Sequence, residues 1–369
     1  MRNDKQHKRI IIAGGGTGGH IFPAVAIANA LKKIDNTIEI LFVGAKGKME
    51  MEKVPQAGFT IKGLNIAGFN RSSILKNISL PYKLVKSFYQ VKNIFKQFLP
   101  DAVVGVGGYS TFPVLKYAQQ KGIPTFIHES NSFAGKSNIL LGKKATKVFV
   151  AAENMDKFFP ANKIMITGNP VREIISQSNV TCSEGLRFFG LDENKKTVLV
   201  TGGSLGARSI NEAIAAHLPD VQTLDIQLIW QTGATDADKY ILAGKACMQK
   251  VWVGKFIQEM DKAFAAADVV VSRAGAMSIA ELSVAKKPTI FVPYPYAAED
   301  HQTINAMRLV NKNAAIIIKD DEVQTKLFSA ITDLLMNDMK RKMFSENIGK
   351  LAIANADELI AKEILKTIS

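Results

Sequence analysis

Twice in this chain a short run of apolar, largely β-branched residues ends in a glycine-rich turn and passes straight into a helical pattern. Arg9-Ile-Ile-Ile-Ala13 runs into Gly14-Gly-Gly-Thr-Gly-Gly-His20, and Thr197-Val-Leu-Val-Thr201 runs into Gly202-Gly-Ser-Leu-Gly-Ala-Arg208. Each opening starts a series of short apolar runs separated by amphipathic stretches. The first series is Arg9–Ala13, Ile38–Val43, Ala102–Val106, Thr125–His128, Lys147–Val150 and Lys163–Thr167. The second follows Gly168-Asn-Pro170: Thr197–Thr201, Gln227–Gln231, Gln249–Val253, Val269–Ser272, Thr289–Val292 and Ala315–Ile318. Runs that are apolar on both faces and alternate with helices predict parallel sheets covered on both sides. The crude repeat predicts an α/β chain of two Rossmann-like halves, residues 1–168 and 169–351. A helical pattern at about 352–369 has no strand after it and is expected to pack back on the first half. At 369 residues the chain is long enough for two cores.

A strand that ends in glycines and opens a helix presents backbone N–H groups and the positive end of the helix dipole. Without Cβ atoms in the way, a diphosphate can approach closely. Gly14, Gly16 and Gly19 also satisfy the dinucleotide spacing GxGxxG. That fingerprint needs an acid at the end of the second strand, whereas here the strand ends at Val43-Gly44 and Glu39 lies inside it. No Walker A lysine follows either glycine loop, which argues against an ATPase of that class. His20 sits where the first helix begins, a place that favours a neutral imidazole able to accept a proton. Ser204 in the second loop is placed to donate to a phosphate.

Ser272-Arg-Ala-Gly-Ala-Met-Ser-Ile-Ala-Glu281 reads as a strand end, a small-residue turn and a helix start. Glu281, about one turn in, suits a bridge to two adjacent hydroxyls such as those of ribose; alone, it reads as a solvated helix acid. Gln302 and Asn305 lie one helical turn apart. Asp236-Ala-Asp238 is a DxD, but its setting reads as helix capping or solvation, and no metal site or cofactor is expected.

Lys and Arg total 47 against 33 Asp and Glu, a formal charge of +14. That excess favours an anionic partner: nucleic acid, an acidic membrane surface or a phosphorylated substrate. Cys182 and Cys247 are the only cysteines and form no CxxC, so neither a disulfide framework nor a zinc site is expected. The polar start does not resemble a signal peptide, and no apolar run is long enough to span a bilayer.

Six motifs occur in one order: Gly15-Gly-Thr-Gly-Gly-His20, His128-Glu-Ser-Asn131, Gly168-Asn-Pro-Val-Arg172, Gly202–Arg208, Arg273-Ala-Gly-Ala276 with Glu281, and Gln302 with Asn305-Ala306. The ordered set closely resembles the bacterial UDP-N-acetylglucosamine–N-acetylmuramyl-(pentapeptide) pyrophosphoryl-undecaprenol N-acetylglucosamine transferases of peptidoglycan synthesis. The resemblance implies a GT-B fold, with an N-terminal acceptor domain and a C-terminal UDP-sugar domain meeting at a cleft. It implies inverting transfer of N-acetylglucosamine from its UDP donor to the C4 hydroxyl of undecaprenyl-diphospho-muramoyl-pentapeptide, giving lipid II.

By the same resemblance, Thr17, Gly18, Gly19, Asn131, Arg172, Ser204, Ile257, Ala276, Met277, Ser278, Ile279, Ala280, Glu281 and Gln302 contact the donor. Ile257 would hold uracil through its backbone and Glu281 the ribose. His20 would be the base, assisted by Asn131, while Gly15, Gly16, Gly108 and Tyr109 would hold the acceptor diphosphate. Helix starts and Arg172 would meet the UDP charge without a metal. Ser130 and Leu205 stand where the family usually has Gln, and Phe112 where glycine is common. An epimerase of related two-domain fold would use additional acids in the cleft. A nucleic-acid binder would interleave aromatic platforms with its charge, whereas these lysines are spread along the chain.

A lipid-linked acceptor requires the enzyme to come to the membrane, and the resemblance places it at the cytoplasmic face of the inner membrane, among other cell-wall enzymes. Ile74–Leu99 alternates Leu75, Ile78, Leu80, Leu84, Phe88, Val91, Phe95 and Phe98 with Lys76, Lys83, Lys86, Lys92 and Lys96, and it contains no acid. That pattern suits an anionic lipid surface, and it equally suits a domain helix with a lysine-rich solvated face.

Overall fold

The computed structural model describes residues 7–68, 80–247 and 250–368. The chain divides into two units, Met1–Arg172 with Ala354–Ser369, and Glu173–Ile353.

The first unit is built on seven strands: β1 (Arg9–Gly14), β2 (Glu39–Ala45), β3 (Thr60–Leu64), β4 (Ala102–Gly107), β5 (Thr125–Glu129), β6 (Lys147–Val150) and β7 (Ile164–Ile166). All pairings are parallel, in the order β3-β2-β1-β4-β5-β6-β7. Between them run α1 (Gly18–Ile34), α2 (Glu50–Gln56), α3 (Leu80–Phe98), α4 (Thr111–Gln120) and α5 (Lys136–Gly142). Period-two alternation splits each strand between two apolar layers. Ile10 and Ile12 face one side with Ile21, Ile27 and Leu31 of α1; Ile11 and Ala13 face the other with Val91, Val114 and Leu115. The helix Ala356–Thr367 adds Ile360, Ala361 and Ile364 to the α1 layer.

Sequence patterning does not reveal β3. Thr60 and Lys62 are exposed and only Leu64 is buried, the half-solvated composition of an edge strand, and a lysine there discourages pairing with another chain.

The second unit repeats the scheme with β8 (Lys196–Thr201), β9 (Ile226–Gln231), β10 (Val251–Gly254), β11 (Val269–Ser272), β12 (Thr289–Phe291) and β13 (Ala315–Ile317). Their order is β10-β9-β8-β11-β12-β13, again all parallel. Val198 and Val200 point into one layer and Leu199 into the other.

In each sheet the winding direction reverses beside the first strand of the unit: at β1/β4 in one and at β8/β11 in the other. Loops leaving the carboxyl ends of such neighbours diverge and leave a crevice between them. Both glycine-rich turns lie at these reversals.

Candidate functional site

In the first unit the turns after β1 and β4 are packed backbone to backbone. Gly15 donates its N–H to the Gly107 carbonyl at 3.2 Å, and a Cβ on Gly108 would lie 2.3 Å from the Gly15 oxygen. Only glycine fits at Gly108, which also has φ of +91°.

A residue that sequence reasoning missed holds this turn from beneath. Glu50, at the start of α2, is 1 % exposed. Its carboxylate accepts from the Gly16 N–H at 2.8 Å and from the Ala45 N–H at 2.9 Å. In the sequence it is a single acid in a first helical turn, and nothing local distinguishes it from a solvated one. The bonds correct one expectation. The N–H groups of Gly15 and Gly16 are committed to Gly107 and Glu50, so they shape the turn and do not serve as diphosphate donors. The groups aimed outward belong to the start of α1, at Gly18 and Gly19 behind Thr17, where a helix has no backbone partners of its own.

His20 follows in the first turn of α1. Its Nδ1 lies 3.0 Å from the Gly15 carbonyl oxygen, which can only accept, so this bond assigns the proton to Nδ1. The neutral ring then carries its lone pair on Nε2. A Cβ at Gly107 would sit 2.7 Å from that atom, so the glycine keeps it accessible. Tyr109 is half exposed, and its ring lies over Gly68 with no room for a side chain there.

Asn131 is positioned by a second buried acid. Glu129 Oε1 accepts from the Asn131 N–H at 3.1 Å and from its Nδ2 at 3.3 Å. Oε2 accepts from the Gly135 N–H at 3.0 Å and from Asn138 Nδ2 at 2.9 Å. His128, in the same motif, is fully buried, and desolvation above all holds its pKa down to about 4. Its bond to the Gly168 carbonyl and one to Asn169 oppose that shift, and the charge of His20 adds to it. His128 is a neutral core residue. The guanidinium of Arg172 lies 5.9 Å from the ring centre of Phe22, two residues beyond His20.

In the second unit the turn after β8 is zipped to the turn after β9. Ala234 and Thr235 donate their N–H groups to the carbonyls of Ser204 and Leu205, at 3.0 and 3.1 Å. Gln231, also missed in the sequence, is buried at the end of β9. Its Nε2 donates to Thr201 Oγ1 at 3.0 Å and to the Gly203 carbonyl at 3.2 Å. Its Oε1 accepts from the Ile257 N–H at 2.9 Å, so that backbone donor is already engaged.

Beyond β11, Gly275 begins the helix Ala276–Val284 with no capping side chain and no acid in the first turn. Its opening residues Ala276, Met277 and Ser278 lie at the positive end of the helix dipole. Ile279 and Ala280 are half-buried, and Glu281 is buried, which sets aside the solvated-acid alternative. Gln302 Oε1 accepts from the Tyr294 N–H at 2.9 Å, which fixes its amide one turn from buried Asn305 on the helix His301–Val310.

Arg273 is a clamp. It donates to the Val292 and Pro293 carbonyls at 3.2 and 3.1 Å, to Ser209 Oγ at 3.3 Å and to Asp320 Oδ1 at 2.5 Å. Asp236 occupies the cap position of the helix Ala237–Lys245 without making a side-chain cap bond, and Asp238 pairs with Lys255 at 3.1 Å. Of the capping or solvation expected for this pair, the cap bond is not made and both carboxylates are exposed. Its backbone is left-handed, with φ of 55°. Among the described residues, no three His, Cys, Asp or Glu side chains gather as metal ligands.

The basic helix α3 divides its residues between core and surface. Val91 and Phe95 enter the core, and half-buried Phe88 meets Phe112 edge-on. The exposed row is Tyr82, Val85 and Tyr89, at 68, 71 and 66 %, beside Lys86 and Lys92. Ile74, Leu75, Lys76 and Ile78 lie outside the described residues. No helix among the described residues is long and apolar enough to cross a membrane.

Comparison with known proteins agrees with this layout. Residues 10–150 match the glycosyltransferase family 28 N-terminal domain, and residues 197–364 match its C-terminal domain. A UDP-N-acetylglucosamine–N-acetylmuramyl-(pentapeptide) pyrophosphoryl-undecaprenol N-acetylglucosamine transferase of Bacteroides fragilis is 50% identical over 361 residues, covering 97% of this chain and 95% of the relative. The protein of the same name from Flavobacterium psychrophilum is 47% identical, covering 98% of each. The crystal structure of Acinetobacter baumannii MurG superposes with a TM-score of 0.75 at 29% identity, covering 97% of this chain and 99% of that one. A UDP-GlcNAc 2-epimerase from Neisseria meningitidis, at 15% identity and a TM-score of 0.67, shares the fold alone. The fold class is GT-B, with two Rossmann-like α/β domains. The chain belongs to glycosyltransferase family 28 and, within it, to the UDP-N-acetylglucosamine–N-acetylmuramyl-(pentapeptide) pyrophosphoryl-undecaprenol N-acetylglucosamine transferases.

Proposed function

We propose that this chain transfers N-acetylglucosamine, with inversion, from UDP-N-acetylglucosamine to the C4 hydroxyl of undecaprenyl-diphospho-muramoyl-pentapeptide, forming lipid II. The observation that carries the mechanism is the His20 ring, with Nδ1 engaged by Gly15 and Nε2 kept clear by Gly107. Nε2 takes the hydroxyl proton as the oxygen attacks the anomeric carbon, and UDP departs from the opposite face. Asn131, held by Glu129, assists at the sugar. The donor lies against the start of the helix Ala276–Val284 and the Ser204 turn, with Glu281 on its ribose, Gln302 beside it and Ile257 at its base. The positive end of that helix dipole and Arg172 meet the charge of the leaving diphosphate, and in this reading no metal ion is required. Thr17, Gly18 and Gly19 contact the donor in this assignment, and Gly108 and Tyr109 hold the acceptor diphosphate.

Tyr82, Val85 and Tyr89 form an aromatic–aliphatic row that lysines flank on a helix without acids, a composition suited to the headgroup level of an anionic bilayer. In this reading the enzyme works peripherally at the cytoplasmic face of the inner membrane.

Radiolabelled UDP-N-acetylglucosamine incubated with the lipid-linked muramoyl-pentapeptide should yield labelled lipid II. Conversion of the nucleotide sugar without acceptor would instead favour the epimerase. Cosedimentation with vesicles containing anionic lipid should fall when Tyr82, Val85 and Tyr89 are all replaced by Ser; undiminished binding would remove α3 as the attachment face.

A further inference from the structure

The carboxylate beneath the first glycine turn has a geometry that bracing alone does not require. The peptide group joining Gly15 to Gly16 is bonded at both ends. Its N–H donates to Glu50 Oε2 at 2.8 Å, and its carbonyl oxygen lies 3.0 Å from His20 Nδ1. The other Glu50 oxygen accepts from the Ala45 N–H at 2.9 Å, so the carboxylate cannot swing away. The pocket is shaped around it: a Cβ on Gly15 would lie 2.2 Å from Glu50 Cδ, and one on Gly44 would lie 2.5 Å from its Cγ.

We propose that Glu50 is a positioning residue that acts on His20 through the Gly15–Gly16 peptide. Carboxylate, peptide and imidazole form one hydrogen-bonded chain. The negative end polarises the peptide, which makes the Gly15 oxygen a better acceptor, and hydrogen bonds in series strengthen one another in a low-dielectric interior. That acceptor holds the proton on Nδ1 and leaves the Nε2 lone pair oriented toward the open side of the ring. The Asp of a Ser-His-Asp triad performs the same task in direct contact with its histidine; here one peptide stands between. A carboxylate also answers the geometry better than an amide. Two N–H groups converge on its two oxygens, whereas a glutamine would turn its own NH2 toward one of them. This role presupposes that His20 is the base.

The two ideas separate experimentally. Glu50→Gln should lower kcat about 10–100-fold, the usual cost of losing an outer partner of a functional histidine. The KM for UDP-N-acetylglucosamine should stay unchanged. Glu50→Asp, which keeps the charge, should recover part of the lost turnover. Long-range 1H–15N spectra of the wild-type protein should show His20 as the Nδ1–H tautomer, a readout that does not depend on any variant folding. An Nε2–H tautomer in the wild type overturns the proposal. So does a folded Glu50→Gln enzyme with unaltered kcat, and that outcome leaves His20 as base. Normal turnover in His20→Ala overturns the base assignment itself, whatever Glu50→Gln does.

Discussion

Gly206 and Gly233 lie face to face, so close that a Cβ on Gly233 would fall 2.0 Å from the Gly206 nitrogen. One on Gly206 would fall 2.2 Å from the Thr232 oxygen, and both glycines have positive φ, +88° and +80°. This contact lets the turns after β8 and β9 share hydrogen bonds and sets the path of the Ser204 loop. Gly206→Ala should cost about 2–4 kcal/mol, from left-handed strain together with overpacking. It should also raise the KM for UDP-N-acetylglucosamine. Gly190 has similar φ, +67°, with open space around its Cβ position, so Gly190→Ala should cost only the strain, about 1 kcal/mol. Urea denaturation of the two variants side by side checks this. Equal losses would mean that the close approach is unimportant.

Arg273 joins β11, β12, Asp320 and Ser209 through one guanidinium whose side chain is largely buried. Arg273→Ala leaves two carbonyls and a carboxylate short of a donor and should cost about 3 kcal/mol. Arg273→Lys should recover less than half, because an ammonium on a flexible stem does not reproduce the planar fork. A rise in the KM for UDP-N-acetylglucosamine with stability intact would show that Arg273 is a ligand contact instead.

Glu129 gathers four N–H donors, two of them from Asn131. Glu129→Gln offers one oxygen where two are needed, so the Asn131 loop should loosen. kcat should drop about 10–100-fold, as for other supporting partners of functional groups. The melting temperature should fall, and the KM for UDP-N-acetylglucosamine should change little. Steady-state kinetics that match the wild type would detach Asn131 from catalysis.

Burial keeps His128 neutral down to about pH 4, below the 6.5 of a solvated histidine. Between those values the unfolded chain takes up a proton that the folded chain refuses. The stabilisation is therefore complete above about pH 6.5, shrinks as the pH falls, and has lost ~3 kcal/mol by about pH 4. His128→Gln lacks this titration. Its unfolding free energy, measured across that window, should decline less steeply than that of the wild type. Parallel curves would assign the acid sensitivity to other groups.

Much of this fold is legible along the chain because parallel strands buried on both faces are nearly continuous apolar runs. β4, β5 and β9 have every residue buried, and each was visible in the sequence. β3 escapes because its exposed Thr60 and Lys62 break that signature. The α3 pattern was visible but its facing was not. Val91 and Phe95 turn inward while Tyr82, Val85 and Tyr89 remain outside, a choice made by what packs against the helix.

Strands and glycine-rich helix starts can be placed from residue order alone, because φ/ψ preferences and side-chain periodicity act over a few residues. The turns beside His20 and Glu281 single out those two side chains as candidates. Tertiary structure alone decided which polar groups meet. The strand order sets β4 beside β1, which brings Gly107 against Gly15 and opposite the His20 ring. The neighbouring β2 carries α2 beneath the same turn, so that Glu50 captures an N–H that otherwise looked free for a ligand. A hydrogen bond between residues far apart in the chain leaves no local trace, since its energy depends on two surfaces that only folding brings together.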